Sequence, residues 1–290
     1  MKNLSKEQLA LLLAASSYAF WTFGDVTSKV ALQLGVPIFQ AVALYSFIVM
    51  VISASVAAKA GHLRELWPQN PKPVLGRAIL GTITNLCNFM AFPLLPMAGF
   101  YVVVFSAPLL ISVFGAIFLH EKLSREKLMI ILLGFAGVLW AIDPLALWAQ
   151  GGSAVGYLLA FLGSCAFAFG QVVLRHLSDK EKPATFLFTT AAMQCFFGVA
   201  MGFSSFVGLS AAAWVIMVLV GLFSALGSFA MVFAMKKATA ATVSSLHYTQ
   251  LIWGAALGFL IWGDRPGLHL WMGAAVIMAS GFWIAKKAKD

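Results

Sequence analysis

The sequence predicts an all-α integral membrane protein, with ten transmembrane helices arranged as two five-helix repeats of inverted topology. Three observations carry this. Of the 290 residues, 61% are hydrophobic and only 10% are charged, whereas an ordinary soluble domain carries about 25% charged residues. The apolar residues fall in unbroken runs of roughly 20, each able to span about 30 Å of hydrocarbon, and not in the alternating segments of a β-barrel. The stretch from Asn88 to Leu123, NFMAFPLLPMAGFYVVVFSAPLLISVFGAIFLHEKL, recurs 143 residues further on without a gap, as Met231 to Pro266.

The ten spans are expected at about 7–29, 37–59, 74–93, 97–119, 127–142, 153–175, 184–206, 211–235, 239–262 and 268–286. The start, MKNLSKEQLALLLAASSYAF, resembles a signal peptide. Bulky aromatics continue to Lys29 with no small-residue cleavage site, so a retained first span is expected. Pro37 opens the second span, and Asn70-Pro71-Lys72-Pro73 precedes the third. The uncharged turn Pro93–Pro96 parts the third from the fourth, which Pro108 interrupts, and HEKLSREK (His120–Lys127) stops the fourth. Residues 143–152, ending in Gln150-Gly151-Gly152, form a periplasmic linker between a first repeat at 1–142 and a second at 153–290. Lys236 and Lys237 mark the turn before the ninth span, and GDRPG (Gly263–Gly267) the turn after it.

The net charge of +9 is loop charge in such a chain and gives no reason to expect a nucleic-acid partner. With the N-terminus inside, 17 of the 19 lysines and arginines fall in inner segments; Lys29 and Arg265 are the two outside. The positive-inside rule then puts both termini in the cytoplasm of a bacterial inner membrane. Trp140, Trp148, Trp214, Trp262 and Trp271 fall near the outer interface, where amphipathic rings prefer to sit. Five spans per repeat is an odd number, so the second copy enters from the opposite side. The charges agree: Pro93–Pro96 is neutral while its copy carries Lys236 and Lys237, and HEKLSREK is basic while its copy GDRPG is nearly neutral. The first spans repeat too, at an offset of 146, with Trp21–Lys29 (WTFGDVTSK) lying over Phe167–Arg175 (FAFGQVVLR). Transporters build their sites where two such repeats meet.

The turn-and-helix PLLPMAGFYVVVFSAPLLISVFGAIFLHEKLS and its copy FAMKKATAATVSSLHYTQLIWGAALGFLIWGD resemble the drug/metabolite transporter superfamily, in its branch with two EamA-type domains. The likeness covers nearly the whole chain. It implies a central cavity lined by the first four helices of each half, with the fifth and tenth packed behind. It also implies movement of small metabolites by alternating access. Within the superfamily the chain is most similar to bacterial amino-acid exporters, in particular the aromatic amino-acid exporter group. One departure is that Leu251 stands in the ninth span where Pro108 stands in the fourth, which puts a symmetric hinge in doubt.

Polar side chains at mid-span depth must face protein or water, so they are the candidates for a site. Tyr18, Trp21 and Asp25 share one face of the first span, and their copies Ser164, Phe167 and Gln171 share the matching face of the sixth. These faces line a cavity or pack helix on helix, where such polar contacts are worth about 0.6 kcal/mol each. Asp25 is either a substrate-amine or proton site, or the partner of Lys29 one turn on. Asn85 and Asn88 suit a zwitterion, because an amide both donates and accepts. Their counterpart Ser228, with Ser224 one turn before it, reads as bonded to its own helix. Tyr101 and Ser106 lie on the outer side of Pro108, the candidate gate residue, while Ser244, His247, Tyr248 and Gln250 cluster in the ninth span. Cys87, Cys165 and Cys195 lie in apolar runs and are expected as free, buried thiols, with no metal or cofactor implied. Gly198–Gly202 is a GxxxG that allows close helix approach, so a monomer or a homodimer remains open.

The expected activity is secondary transport, the export of small amino-acid-like metabolites, aromatic and other neutral ones. No nucleotide-binding loop is present to couple ATP directly. With no lysine or arginine at mid-span, phosphate-bearing substrates are disfavoured. The alternatives are efflux of lipophilic cations, which aromatic faces and one acid would suit, and a passive facilitator. An enzyme is not expected, since the clustered histidines, paired carboxylates or activated serine it would need are missing.

Overall fold

The computed structural model describes residues 6–91, 94, 103–121, 124–142 and 153–262, with 272, 275, 276 and 279 as isolated positions. Every regular element among them is helical. In chain order these are α1 (Lys6–Gln33), α2 (Ile38–Lys59), α3 (Pro71–Ala91), α4 (Ala107–Phe118), α5 (Arg125–Ile142), α6 (Ala154–Leu177), α7 (Pro183–Gly202) and α8 (Ala211–Met235). The stretch expected as the ninth span comes in pieces: a short helix Ala240–Ser244, a 3-10 turn Ser245–Tyr248, and α9 (Thr249–Trp262). Six helices, α1, α2, α3, α6, α7 and α8, are long and apolar enough to cross a membrane. Apart from isolated positions, the turn Pro93–Pro96, the linker 143–152 and the expected tenth span lie outside the described residues.

Local chemistry sets the ends of these helices. Pro71 and Pro183 open α3 and α7 at a position where a missing N–H costs nothing. Ser210 caps α8 by accepting from the Ala213 N–H at 3.2 Å. Gly61, with φ at 73°, turns the chain out of α2 while His62 N–H donates to Ala57 at 2.8 Å. The charged stop after α4 uses His120 at φ 52°, with Glu121 N–H returned to the Gly115 carbonyl at 3.3 Å.

Each of the closest packed pairs joins a helix from before the linker to one from after it: α1 with α8, α2 with α7, and α3 with α6. Small residues permit this. At Gly198 a Cβ would stand 2.8 Å from Ala43 N and 2.9 Å from Phe39 O, and at Gly202 it would collide with Phe39 Cβ. The GxxxG of α7 is therefore spent on α2 within the chain and is not free to pair two copies. Ser17 donates to the Gly227 carbonyl at 2.7 Å across α1 and α8, and Thr84 donates to the Gly163 carbonyl at 3.4 Å across α3 and α6. Apolar side chains such as Leu12, Phe47, Val51, Phe196 and Val215 face outward, as a lipid-facing surface requires. The three cysteines are free but only half-buried, short of the full burial expected.

One end of the bundle is tied by polar contacts between the halves. Arg175 donates from Nε to Glu121 Oε1 at 3.4 Å and from Nη1 to the Met235 carbonyl at 2.8 Å. Glu121 also accepts from Ala240 N–H at 3.1 Å. Glu181 accepts from the backbone N–H of Gln69 at 3.2 Å, where the chain enters α3.

Candidate functional site

Between these paired helices lies a cavity of about 280 Å³, near the lower end of the range for small-molecule sites, about 300–1,000 Å³. Its lining is mixed. Trp21 of α1 and Phe167 of α6 meet edge to face at 6.0 Å, with Asp25 and Gln171 one turn on along the same helices. The lining also carries a chain of hydrogen bonds across α3, α2 and α7. Asn85 Nδ2 donates to Tyr45 Oη at 2.9 Å, Tyr45 donates to Gln194 Oε1 at 3.1 Å, and Gln194 Nε2 donates to the Gly81 carbonyl at 3.4 Å. Ser46 adds a bond to Gln194 Oε1 at 3.3 Å. These bonds lock the amides in orientation, as a site for a polar head group needs.

Of the residues singled out by sequence, Trp21, Asp25, Asn85, Asn88, Phe167, Gln171, His247 and Gln250 line this cavity. Ser224 and Ser228, read as bonded to their own helix, line it too. Four others sit elsewhere. Tyr18 is fully buried behind the wall, its ring stacked on His247 at 4.7 Å, because the 3-10 turn swings His247 across it. Tyr248 packs against Phe105 at 6.1 Å. Ser244 and Ser106 turn back on their own chain, donating to Ala241 O at 3.1 Å and Val103 O at 2.6 Å. Tyr101 lies outside the described residues. Pro108 does not bend the middle of a helix; it occupies the first turn of α4, behind a break at Phe105–Ser106.

The sequence reading missed Tyr45, Arg77, Thr190 and Gln194. Gln194 was within reach of the argument that found Gln171, a polar residue in an apolar run. Arg77 was assigned to the inner loop charge. Instead its guanidinium lines the cavity, where Nη1 donates to Thr190 Oγ1 at 2.8 Å. Arg77 is not at mid-span, where no lysine or arginine is expected; it reaches the cavity from near the start of α3. Gly81 makes room for this pair: a Cβ there would stand 3.1 Å from Thr190 Cγ2. Asn88 Oδ1, Gln171 Oε1 and His247 Nδ1 are buried without a hydrogen-bond partner among the described residues. No group of three or more His, Cys, Asp or Glu among the described residues could hold a metal.

A helical bundle long and apolar enough to cross a membrane repeatedly, enclosing a cavity lined by aromatic and polar side chains, is the architecture of a small-molecule transporter. The chain belongs to the EamA-like transporter family, matched over residues 8–142 and 154–285, and with it to the drug/metabolite transporter superfamily. Among curated relatives it is 24% identical over 281 residues to the pseudopaline exporter CntI of Pseudomonas aeruginosa, covering 96% of each chain. It is 23% identical over 282 residues to a riboflavin transporter of Vibrio cholerae, covering 96% of this chain and 93% of that one. A solved crystal structure, 20% identical, shares the fold with a TM-score of 0.80 over 97% of this chain and 99% of the other. The protein is a multi-pass membrane protein of a bacterial transporter family.

Proposed function

We propose that the chain exports a small amino-acid-like metabolite, neutral overall and with an apolar or aromatic side chain, by alternating access through this cavity. The observation that carries the reading is the lining of the cavity, which brings aromatic rings and fixed polar groups together. Trp21 and Phe167 offer an apolar side chain a surface, while Asn85, Tyr45 and Gln194 offer fixed donors and acceptors to the polar end. The volume suits a molecule of that size. The relatives are named for different substrates, pseudopaline and riboflavin, so here the substrate is argued from the cavity.

The same reading takes residues 1–142 and 153–290 as inverted repeats of five helices each, with the termini in the cytoplasm and the chain in the inner membrane. Reciprocal contacts support it. The offset of 146 carries Ser17 to Gly163, and the offset of 143 carries Thr84 to Gly227. The bonds Ser17–Gly227 and Thr84–Gly163 are thus one contact made twice with donor and acceptor exchanged. Trp21 and Phe167, which touch in the cavity wall, are likewise counterparts.

Efflux of lipophilic cations is the second reading, favoured by Asp25 on the cavity wall and opposed by Arg77 on the same surface. Uptake into proteoliposomes over a panel of amino acids and cations, with and without an imposed proton gradient, separates them. Amino acids are expected to give the signal, and transport of cations alone would sink the amino-acid reading. Gradient-independent uptake would mark a passive facilitator.

A further inference from the structure

We infer that Arg77 and Thr190 form a carboxylate-binding subsite in the cavity. This deepens the proposed function and rests on it for the identity of the whole substrate. A guanidinium keeps its charge under all ordinary conditions, and taking it out of water costs several kcal/mol unless an anion and hydrogen bonds compensate. Around Arg77 that compensation is incomplete. No described carboxylate lies within 4.0 Å of it. Among the described residues its one side-chain partner is the neutral Thr190 hydroxyl and its Nε is buried without a partner, while its Cζ lies 5.9 Å from the centroid of the Phe186 ring. The side chain is thus held in place by a hydroxyl and a ring face, neither of which neutralises it.

The geometry points to a ligand that does. Thr190 accepts from Arg77 Nη1, which leaves its own O–H to donate. A planar fork beside a hydroxyl donor is the arrangement that binds a carboxylate through two or more charge-assisted bonds. Helix register supports the match. Arg77 lies about 9 Å along α3 from Pro71 and Thr190 about 10 Å along α7 from Pro183, and both helices start from the same end of the bundle. The amides of Asn85 and Gln194 follow one to two turns further along the same helices, within the same cavity. A substrate anchored by its carboxylate at Arg77 therefore places its next polar group beside those amides.

Calorimetric titration of the full chain in lipid nanodiscs tests this with three probes: phenylalanine, phenylalaninamide and 3-phenylpropionate. The wild type is expected to bind both carboxylates. Arg77→Gln is expected to weaken each carboxylate at least about tenfold while changing phenylalaninamide less than about twofold. Thr190→Val, which leaves the charge in place, is expected to weaken the carboxylates about threefold to tenfold. It serves as the test if Arg77→Gln fails to fold. Equal weakening of acid and amide, or unchanged carboxylate binding in both variants, would overturn the subsite, as would a wild type that binds neither acid. A wild type that binds 3-phenylpropionate but not phenylalanine would overturn the amino-acid reading and leave the subsite standing.

Discussion

In the fourth span, α4 begins at Ala107 behind a turn at Phe105–Ser106, with Pro108 in its first turn. In the ninth, the 3-10 turn Ser245–Tyr248 separates a short helix from α9, with Leu251 where the proline would be. Moving on by 143 residues lays Ser106 on Thr249 and Val103 on Leu246. Each hydroxyl makes the same bond: Ser106 Oγ donates to Val103 O at 2.6 Å, and Thr249 Oγ1 donates to Leu246 O at 2.7 Å. Such back-bonding competes with the helix ladder and bends it. The two breaks share this hydroxyl bond, and the proline adds to one copy what the other lacks. The two breaks also meet, since the Phe105 ring lies 5.8 Å from that of His247 and 6.1 Å from that of Tyr248.

The comparison can be broken at several points. The largest effect is expected from Ser245→Ala with Thr249→Val, which removes the two back-bonds at the turn, Ser245 Oγ to Thr242 O at 2.8 Å and Thr249 Oγ1 to Leu246 O, from a stretch that has no proline to hold its break. Transport should fall about a hundredfold as the 3-10 turn reverts to helix, and spin-label distances across Ala240–Trp262 should show the straightening. Wild-type rates in the double variant would show that the break comes from packing alone. Next comes Glu121→Ala, which cuts the bond between the stop after α4 and the Ala240 N–H that starts the ninth span. Denaturation in detergent should show a loss of about 2 kcal/mol, the scale of a charge-assisted bond. His247→Leu removes the ring stacked between Tyr18 and Phe105 and should cost about 1 kcal/mol by the same measurement. The smallest effect is expected from Pro108→Leu, which gives the fourth span the residue of the ninth. With Ser106 in place, transport should drop less than about threefold, and a larger loss would return the break to the proline.

What could be read from the sequence follows from this. The membrane class was legible because apolar runs and few charges leave no other solvent. The doubled turn-and-helix was legible because copies keep small residues and helix stops in register. Trp21, Asp25, Asn85 and Gln171 lie on the cavity wall because a polar or amphipathic residue in an apolar run has few other places to go. Tyr18 passed the same filter and sits behind the wall, since periodicity gives a face but not the neighbour that covers it. Arg77 failed the filter in the other direction. Near the start of a span, a cavity-lining cation and a loop cation look alike until α7 sets Thr190 beside it. The ninth-span break was hidden because attention to the missing proline passed over Thr249.

The contact of Gly198 and Gly202 with Ala43 and Phe39 has a mechanical consequence. At Gly198 backbone meets backbone, and at Gly202 the backbone sits against Cβ of Phe39, the least yielding part of that side chain. Sliding α7 past α2 far enough to force a methyl-sized overlap would cost about 1–3 kcal/mol, while tilting both together disturbs none of their contacts. In the proposed cycle the two helices therefore travel as one plank. The bonds of Tyr45 and Ser46 to Gln194 cross the same seam and ride with it. The part of the polar chain shared by α2 and α7 thus stays assembled through that proposed cycle, and only its links to Asn85 and Gly81 of α3 depend on a third helix.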